Sequence, residues 1–213
     1  MKPTVLVTAG PTREYVDPVR FLSNPSTGKM GYALARAARD RGARVILVSG
    51  PVTLRAPKGV RVVRVESAAE MCREVMRLYR DADVVIMAAA VADYRPEKRS
   101  RSKMKKGSRA LTVRMVKTED ILYNLGKRKG KRILAGFAAE TGSLLREARR
   151  KLEEKKLDII VANDVSGREA GFASDYNRGV LVDRDGNVQR IPLMSKEKLA
   201  RIVIGRCFRL TAS

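Results

Sequence analysis

A chain of 213 residues with 45 Lys and Arg against 23 Asp and Glu, hence a formal net charge of +22, is long enough for one domain with a sizeable core and favours anionic partners. The lack of any His or CxxC excludes His-based triads and most zinc and haem chemistry, and no apolar run reaches the ~18 residues of a membrane span. Aromatic residues make up only 5%, so the core must come from Val, Ile, Leu, Ala and Met.

Residues 4–8 (TVLVT) read as a buried strand close behind Met1, which argues against a leader peptide and for a cytoplasmic protein. Segment 28–41 puts Met30, Leu34, Ala37 and Ala38 on one helical face, and 44–49 (RVILVS) reads as the next strand. A third strand over 60–65 precedes a helix over 67–80, and a fourth over 83–89 runs into a string of alanines. Further strands over 133–137 and 158–162 flank a helix over 143–156. Cys72 and Cys207 fall among apolar neighbours on helices and read as small core residues. Segments 179–183 and 187–191, joined by Arg184-Asp185-Gly186, read as a hairpin, and a helix over 196–210 closes the chain. The alternation predicts one α/β domain over 1–213: a doubly wound, Rossmann-like, mostly parallel sheet with a C-terminal β-hairpin.

Residues 95–109 (RPEKRSRSKMKKGSR) break the pattern with eight Lys or Arg, one acid and little to bury. Such a stretch is expected to be a loop, here a basic lid over anionic ligands.

In an open α/β sheet, ligands bind at the carboxyl ends of the strands. No GxGxxG follows the first strand, the connection from Gly10 to Gly28 is long, and the second strand ends in Ser49-Gly50-Pro51 without a ribose-binding acid. These features argue against a nicotinamide-dependent reductase. Gly28-Lys29 is followed by Met30 and preceded at the required spacing by Ser23, so Walker A is absent too. A nucleic-acid-binding role would draw on the charge, but six Tyr, four Phe and no Trp give few stacking platforms. In the long first connection, Pro11, Pro18 and Pro25 stiffen the path, Ser26 or Thr27 is expected to cap the helix, and Gly31 to let it approach the sheet. Arg13, Arg20, Asn24 and Lys29 are harder to explain as scaffold.

The segment from Ala9 to Gly31, AGPTREYVDPVRFLSNPSTGKMG, closely resembles the opening motif of phosphopantothenoylcysteine synthetases of the bacterial and archaeal type. The stretches 88–95 (AAAVADYR), 103–106 (KMKK), 115–121 (MVKTEDI), 136–141 (GFAAET) and 162–166 (ANDVS) are similar to later motifs of the same family, in the same order. Pro25 and Glu119 are the departures, standing where the family often has a polar residue and a proline.

The resemblance implies a ligase that joins cysteine to 4'-phosphopantothenate, using CTP as co-substrate and Mg2+. It implies an acyl-cytidylate intermediate, with pyrophosphate and then CMP released. The partners it implies are those three substrates, a second copy of the chain in a homodimer, and a phosphopantothenoylcysteine decarboxylase domain, fused or separate; neither a membrane nor a specific nucleic acid is implied. Bringing a carboxylate to ~4 Å from a triphosphate costs ~4 kcal/mol per pair of unit charges at an effective dielectric near ~20, so cationic side chains are required. By motif, Lys103 contacts nucleotide phosphates in the first half-reaction, and Lys151 and Lys155 do so from one helical face; read as surface charge, Lys151 would pair with Glu147 instead. Asp93 accepts from the cytosine amino group, while Met87, Ala88 and Ala89 approach through backbone atoms. Glu119, Asp120, Ile121, Leu122 and Phe137 complete the nucleotide site. Asn24 donates to the acyl carbonyl in the second half-reaction, and Arg20 and Ala90 hold phosphopantothenate. Which residues ligate the metal is not implied.

Overall fold

Every residue of the first strand is buried, and its side chains feed two cores. Val5, Val7 and Ala9 point to one face and Leu6 to the other, the period-two alternation of a strand covered on both sides. The computed structural model describes residues 2–105, 107, 110–167, 169 and 171–211. In chain order these form β1 (Thr4–Ala9), β2 (Arg13–Tyr15), β3 (Phe21–Ser23), α1 (Lys29–Asp40), β4 (Arg44–Ser49), β5 (Arg61–Arg64), α2 (Ala68–Leu78), β6 (Val84–Met87), β7 (Tyr94–Pro96), β8 (Met115–Lys117), α3 (Ile121–Gly126), β9 (Ile133–Glu140), α4 (Leu144–Glu154), β10 (Ile159–Asp164), β11 (Tyr176–Asp183), β12 (Val188–Ser195) and α5 (Lys196–Thr211).

Eight strands make one sheet in the order β12-β11-β10-β9-β6-β1-β4-β5. From β5 to β10 all neighbours are parallel, and the β11–β12 hairpin adds two antiparallel strands at the edge. Helices α1 and α5 cover one face, while α2, α3 and α4 cover the other. Strand order reverses between β1 and β6, so a crevice is expected at their carboxyl ends. No described helix is long and apolar enough to cross a membrane.

The helices form where local chemistry allows. Ser67 caps α2 by accepting from the Glu70 N–H at 3.2 Å, with Glu70 at the acidic place of a capping box. Asp120 caps α3 through the Tyr123 N–H at 3.0 Å. Helix α1 departs from expectation: its cap is Gly28, with no side-chain acceptor, because Ser26 turns to the Gly28 N–H and Thr27 donates to the Phe172 carbonyl.

Three glycines assemble around that start. Gly10 and Gly28 both sit at φ 78°, and a Cβ on Gly28 would lie 3.4 Å from the Gly10 nitrogen. Gly31 packs α1 onto β1, where an added Cβ would stand 2.4 Å from the Ala9 Cβ and 2.7 Å from the Thr8 carbonyl oxygen. Together they resemble a glycine fingerprint split by residues 11–27, which carry the β2–β3 ribbon. Gly31→Ala is expected to cost ~1–3 kcal/mol through overpacking, at roughly 2–4 °C of Tm per kcal/mol for a domain of this size. Thermal unfolding at an unchanged Tm would contradict this packing.

The short ribbons β2–β3 and β7–β8 were not foreseen, and neither was helix α3. All three residues of β3 are exposed, so no alternation announces it. Of the basic stretch, Lys106, Ser108 and Arg109 lie outside the described residues. The rest leaves the β7 end and docks on the loop after β2: the Ser100 N–H donates to the Val16 carbonyl at 2.9 Å, and the Arg99 guanidinium stacks 4.7 Å from the Tyr15 ring centre.

Candidate functional site

The carboxyl edge of the parallel sheet opens into a cavity of about 650 Å3, within the roughly 300–1,000 Å3 typical of small-molecule sites. Its floor runs from the last residue of β6, Met87, to Val91, at the switch point. Buried Thr8 fixes that floor by accepting from the Ala88 and Ala89 N–H groups at 3.1 Å each. Thr12 accepts from the Ala92 N–H at 3.0 Å, and Thr118 donates to the Ala92 carbonyl at 2.6 Å. Because Thr8 occupies the amides of Ala88 and Ala89, a ligand can meet this backbone at its carbonyls or small side chains rather than at those donors. The three threonines were not singled out in the sequence, where they read as ordinary strand and turn residues.

Most of the anticipated residues meet at this cavity: Asn24, Met87, Ala88, Ala89, Ala90, Asp93, Glu119, Asp120, Ile121, Leu122, Phe137, Lys151 and Lys155 all line it. Arg20 and Lys103 do not, and Lys103 is exposed on the basic loop.

On the α4 side, Lys151 pairs with Glu140 at 2.6 Å and Lys155 with Asp120 at 2.7 Å. Glu147, the partner of Lys151 in the alternative surface-charge reading, is taken by Arg150 at 3.0 Å, one turn along the solvent face. An i,i+4 spacing leaves two rotamer choices open, and the sheet offered Lys151 the better buried acid. Asp120 therefore caps α3 with one oxygen and holds Lys155 with the other. Glu119 accepts from Asn124 at 3.2 Å and from the Cys72 thiol at 3.5 Å. Burial and then Glu119 push that thiol up to about 11, and burial pushes Cys207 up to about 12, so neither is a nucleophile at neutral pH.

On the α1 side, the Asn24 amide donates to the carbonyls of Ala90 at 3.1 Å and Val91 at 3.3 Å. Both of its N–H groups are thus engaged, and donation to a ligand requires exchanging one of them. Gly28, Lys29 and Met30 bring the uncapped start of α1 to the same wall, where free backbone N–H groups favour anions. Lys29 bonds Asp175 at 2.7 Å, and Lys196 also reaches the cavity. In the sequence Lys29 stands without a scaffold role, and Lys196 carries no signal beyond opening a helix that closes the fold.

Arg20 takes a role beside the cavity. The Asp17 side chain is fully buried and accepts from the N–H groups of Val19 and Arg20 at 2.8 Å each and from Arg20 Nη2 at 2.6 Å. Asp17 also accepts from the Met104 N–H at 3.1 Å, while Arg20 donates to the Met104 carbonyl at 2.6 Å. The Arg20 guanidinium holds the Asp17 carboxyl well below the usual range. This pair clasps the basic loop to the first connection, one residue away from Lys103.

The chain matches, over residues 1–210, the family described as DNA/pantothenate metabolism flavoprotein C-terminal domain. It is 52% identical over 193 residues to the coenzyme A biosynthesis bifunctional protein CoaBC of Bacillus subtilis, covering 90% of this chain and 48% of the relative. The chain spans about half the length of the curated relatives it matches. Among solved structures it is similar to the C-terminal domain of a CoaBC protein, at TM-score 0.84 and 43% identity, covering 100% of this chain and 98% of that one. It shares the fold of a Cab2 mutant in complex with phosphopantothenate-cysteine, at TM-score 0.79 and 16% identity, covering 99% of this chain and 88% of that one.

Proposed function

Because the chain belongs to the DNA/pantothenate metabolism flavoprotein C-terminal domain family, we propose that it is the ligase that joins cysteine to 4'-phosphopantothenate with CTP, in coenzyme A biosynthesis in the cytoplasm. The observation that carries this reading is a single cavity lined by Lys29 and Lys196 from one face of the sheet and by Lys151 and Lys155 from the other. Two anions that repel each other need cations on both sides.

In the first step a carboxylate oxygen of 4'-phosphopantothenate attacks the α-phosphorus of CTP. The new oxygen–phosphorus bond forms as the α–β bridge breaks, and pyrophosphate leaves. In the second step the cysteine amine attacks the acyl carbon, CMP departs with the bridging oxygen, and the amine loses a proton. Lys151 and Lys155 would release Glu140 and Asp120 to take the phosphates, and Lys103 would join them when the basic loop closes. Asp93, exposed at the rim, is suited to accept from the cytosine amino group. Met87, Ala88, Ala89, Glu119, Ile121, Leu122 and Phe137 would form the walls of the nucleotide site.

Phosphopantothenate is assigned to the α1 side, where the helix start and Lys29 favour its negative groups, with Ala90 and Asn24 beside its carboxylate. Arg20 would anchor its phosphate or carboxylate by leaving Met104. The carboxylates at the cavity, Asp93, Glu119 and Asp120, are hard oxygen donors of the kind that holds Mg2+ one or two at a time together with substrate phosphates. Mg2+ would neutralise triphosphate charge there. A homodimer is supported by the exposed apolar Val19, Phe21 and Leu22 on and beside the β3 ribbon. The length of the bifunctional relatives supports a decarboxylase domain, fused or separate.

Pyrophosphate release with Mg2+, 4'-phosphopantothenate and cysteine, compared for CTP and ATP, tests the reading. Turnover that needs the pantothenate substrate and prefers CTP is the expected result. Equal use of ATP would remove the nucleotide assignment, and no release with either would remove the ligase.

A further inference from the structure

Lys196, the first residue of α5, is 4% exposed, and none of the ion pairs among the described residues includes it. An ammonium taken out of water is costly unless its protons are all placed, and a methionine would fill the same space without that cost. The protons are placed on one short loop. Nζ donates to the carbonyls of Gly171 at 2.9 Å, Phe172 at 3.2 Å and Ser174 at 2.5 Å. The backbone N–H of Lys196 closes the same loop onto the Asp175 carbonyl at 2.9 Å. From the turn before α1 the Thr27 hydroxyl reaches the Phe172 carbonyl at 3.0 Å, and from its first residue Lys29 reaches the Ala173 carbonyl at 3.2 Å. Gly171 and Phe172 in turn form part of the cavity wall. A backbone segment with no regular structure thus stands against the start of α1, and a single buried cation gathers most of its carbonyls.

We propose that Lys196 is a positioning residue: its ammonium group holds the 171–175 loop as the cavity wall that seats 4'-phosphopantothenate. The inference rests on the ligase reading and deepens it on the α1 side, away from Lys151 and Lys155. The charged groups facing the ammonium are Lys29 from α1, Asp175 from the loop and Glu197 from α5. Burial, and then repulsion by Lys29, lower the amine to about 8, against the opposing pull of Asp175 and Glu197. Above that pH the neutral amine keeps two N–H groups for three carbonyls, so the wall loosens as pH rises.

The test uses Lys196→Ala and Lys196→Met in the full chain. Both are expected to raise KM for 4'-phosphopantothenate roughly tenfold, with KM for CTP nearly unchanged, since misplacing a substrate by ~1 Å can cost up to ~100-fold in rate. Propylammonium, which replaces the deleted arm, should restore Lys196→Ala but not Lys196→Met, whose side chain fills the space. Hydrogen exchange of the amides in 171–175, followed without substrates, should speed up in both variants. A KM kept at the wild-type value, or one raised equally for both substrates with no propylammonium rescue, overturns the positioning role. Exchange that stays slow in both variants overturns the holding of the loop. A wild type that releases no pyrophosphate overturns the ligase reading, and with it the substrate assigned to this wall.

Discussion

Asn24→Asp is expected to stop the reaction after its first half: pyrophosphate should appear in a burst, and product formation should fall by roughly a hundredfold or more. The physical basis is the pair of carbonyls that the Asn24 amide faces, Ala90 at 3.1 Å and Val91 at 3.3 Å. A carboxylate of the same size has no proton to give either carbonyl, and none for the oxygen of an acyl group under attack. Removing one donor of that kind typically costs about 10²–10³ in rate. Activation of the carboxylate at phosphorus does not use that donor, so the first half should survive. Quenched-flow separation of pyrophosphate from product reads both halves. A variant that turns over normally would sink the assignment, and one that loses the burst as well would move Asn24 into the first half.

Lys103→Gln is expected to have the opposite signature, with the burst itself slowed by roughly 10²-fold because a cation is missing where charge develops on the phosphates. Lys103 is exposed and lies outside the cavity, so this outcome requires the basic loop to move. The clasp that it would leave consists of the Met104 N–H on Asp17 at 3.1 Å and the Met104 carbonyl on Arg20 at 2.6 Å. A burst of wild-type rate in Lys103→Gln would show that the loop does not deliver this lysine to the nucleotide.

In the proposed reaction the two halves would divide the molecule as its sheet does. Lys151 in α4 and Lys155 just past its end lie on one face and rest on acids, Glu140 and Asp120. Those pairs hold two ammonium groups in place, and in the proposed reaction a triphosphate with its larger charge would displace the two acids. Lys29, Lys196 and the uncapped start of α1 stand on the other face. The carboxylate and the α-phosphorus would meet between them, above the floor that Thr8 fixes through Ala88 and Ala89.

The central strands were legible because their buried stretches are mostly apolar, Val5 to Val7 and Val45 to Val48 among them, and helices with a 3.6-residue period separate them. The hairpin was legible from Asp185-Gly186, with Gly186 at φ 83°, although its strands run on to Tyr176 and Ser195. The glycine fingerprint was not, because Gly10 and Gly28 meet in space across an inserted ribbon whose exposed residues carry no period. The cavity members on the recognised motifs came together, and those motifs supplied them; periodicity alone would have left Lys151 paired with Glu147. Lys196 was illegible for a different reason. Its role depends on the carbonyls of a loop without side-chain pattern, and backbone acceptors leave no mark on a sequence.

The proposed attack of a 4'-phosphopantothenate carboxylate oxygen on the α-phosphorus of CTP can be followed by labelling that carboxylate with heavy oxygen. After a complete turnover with cysteine, one labelled oxygen is expected in CMP and none in pyrophosphate. Label in inorganic phosphate, with CDP as the other product, would mean attack at the γ-phosphorus and would contradict it.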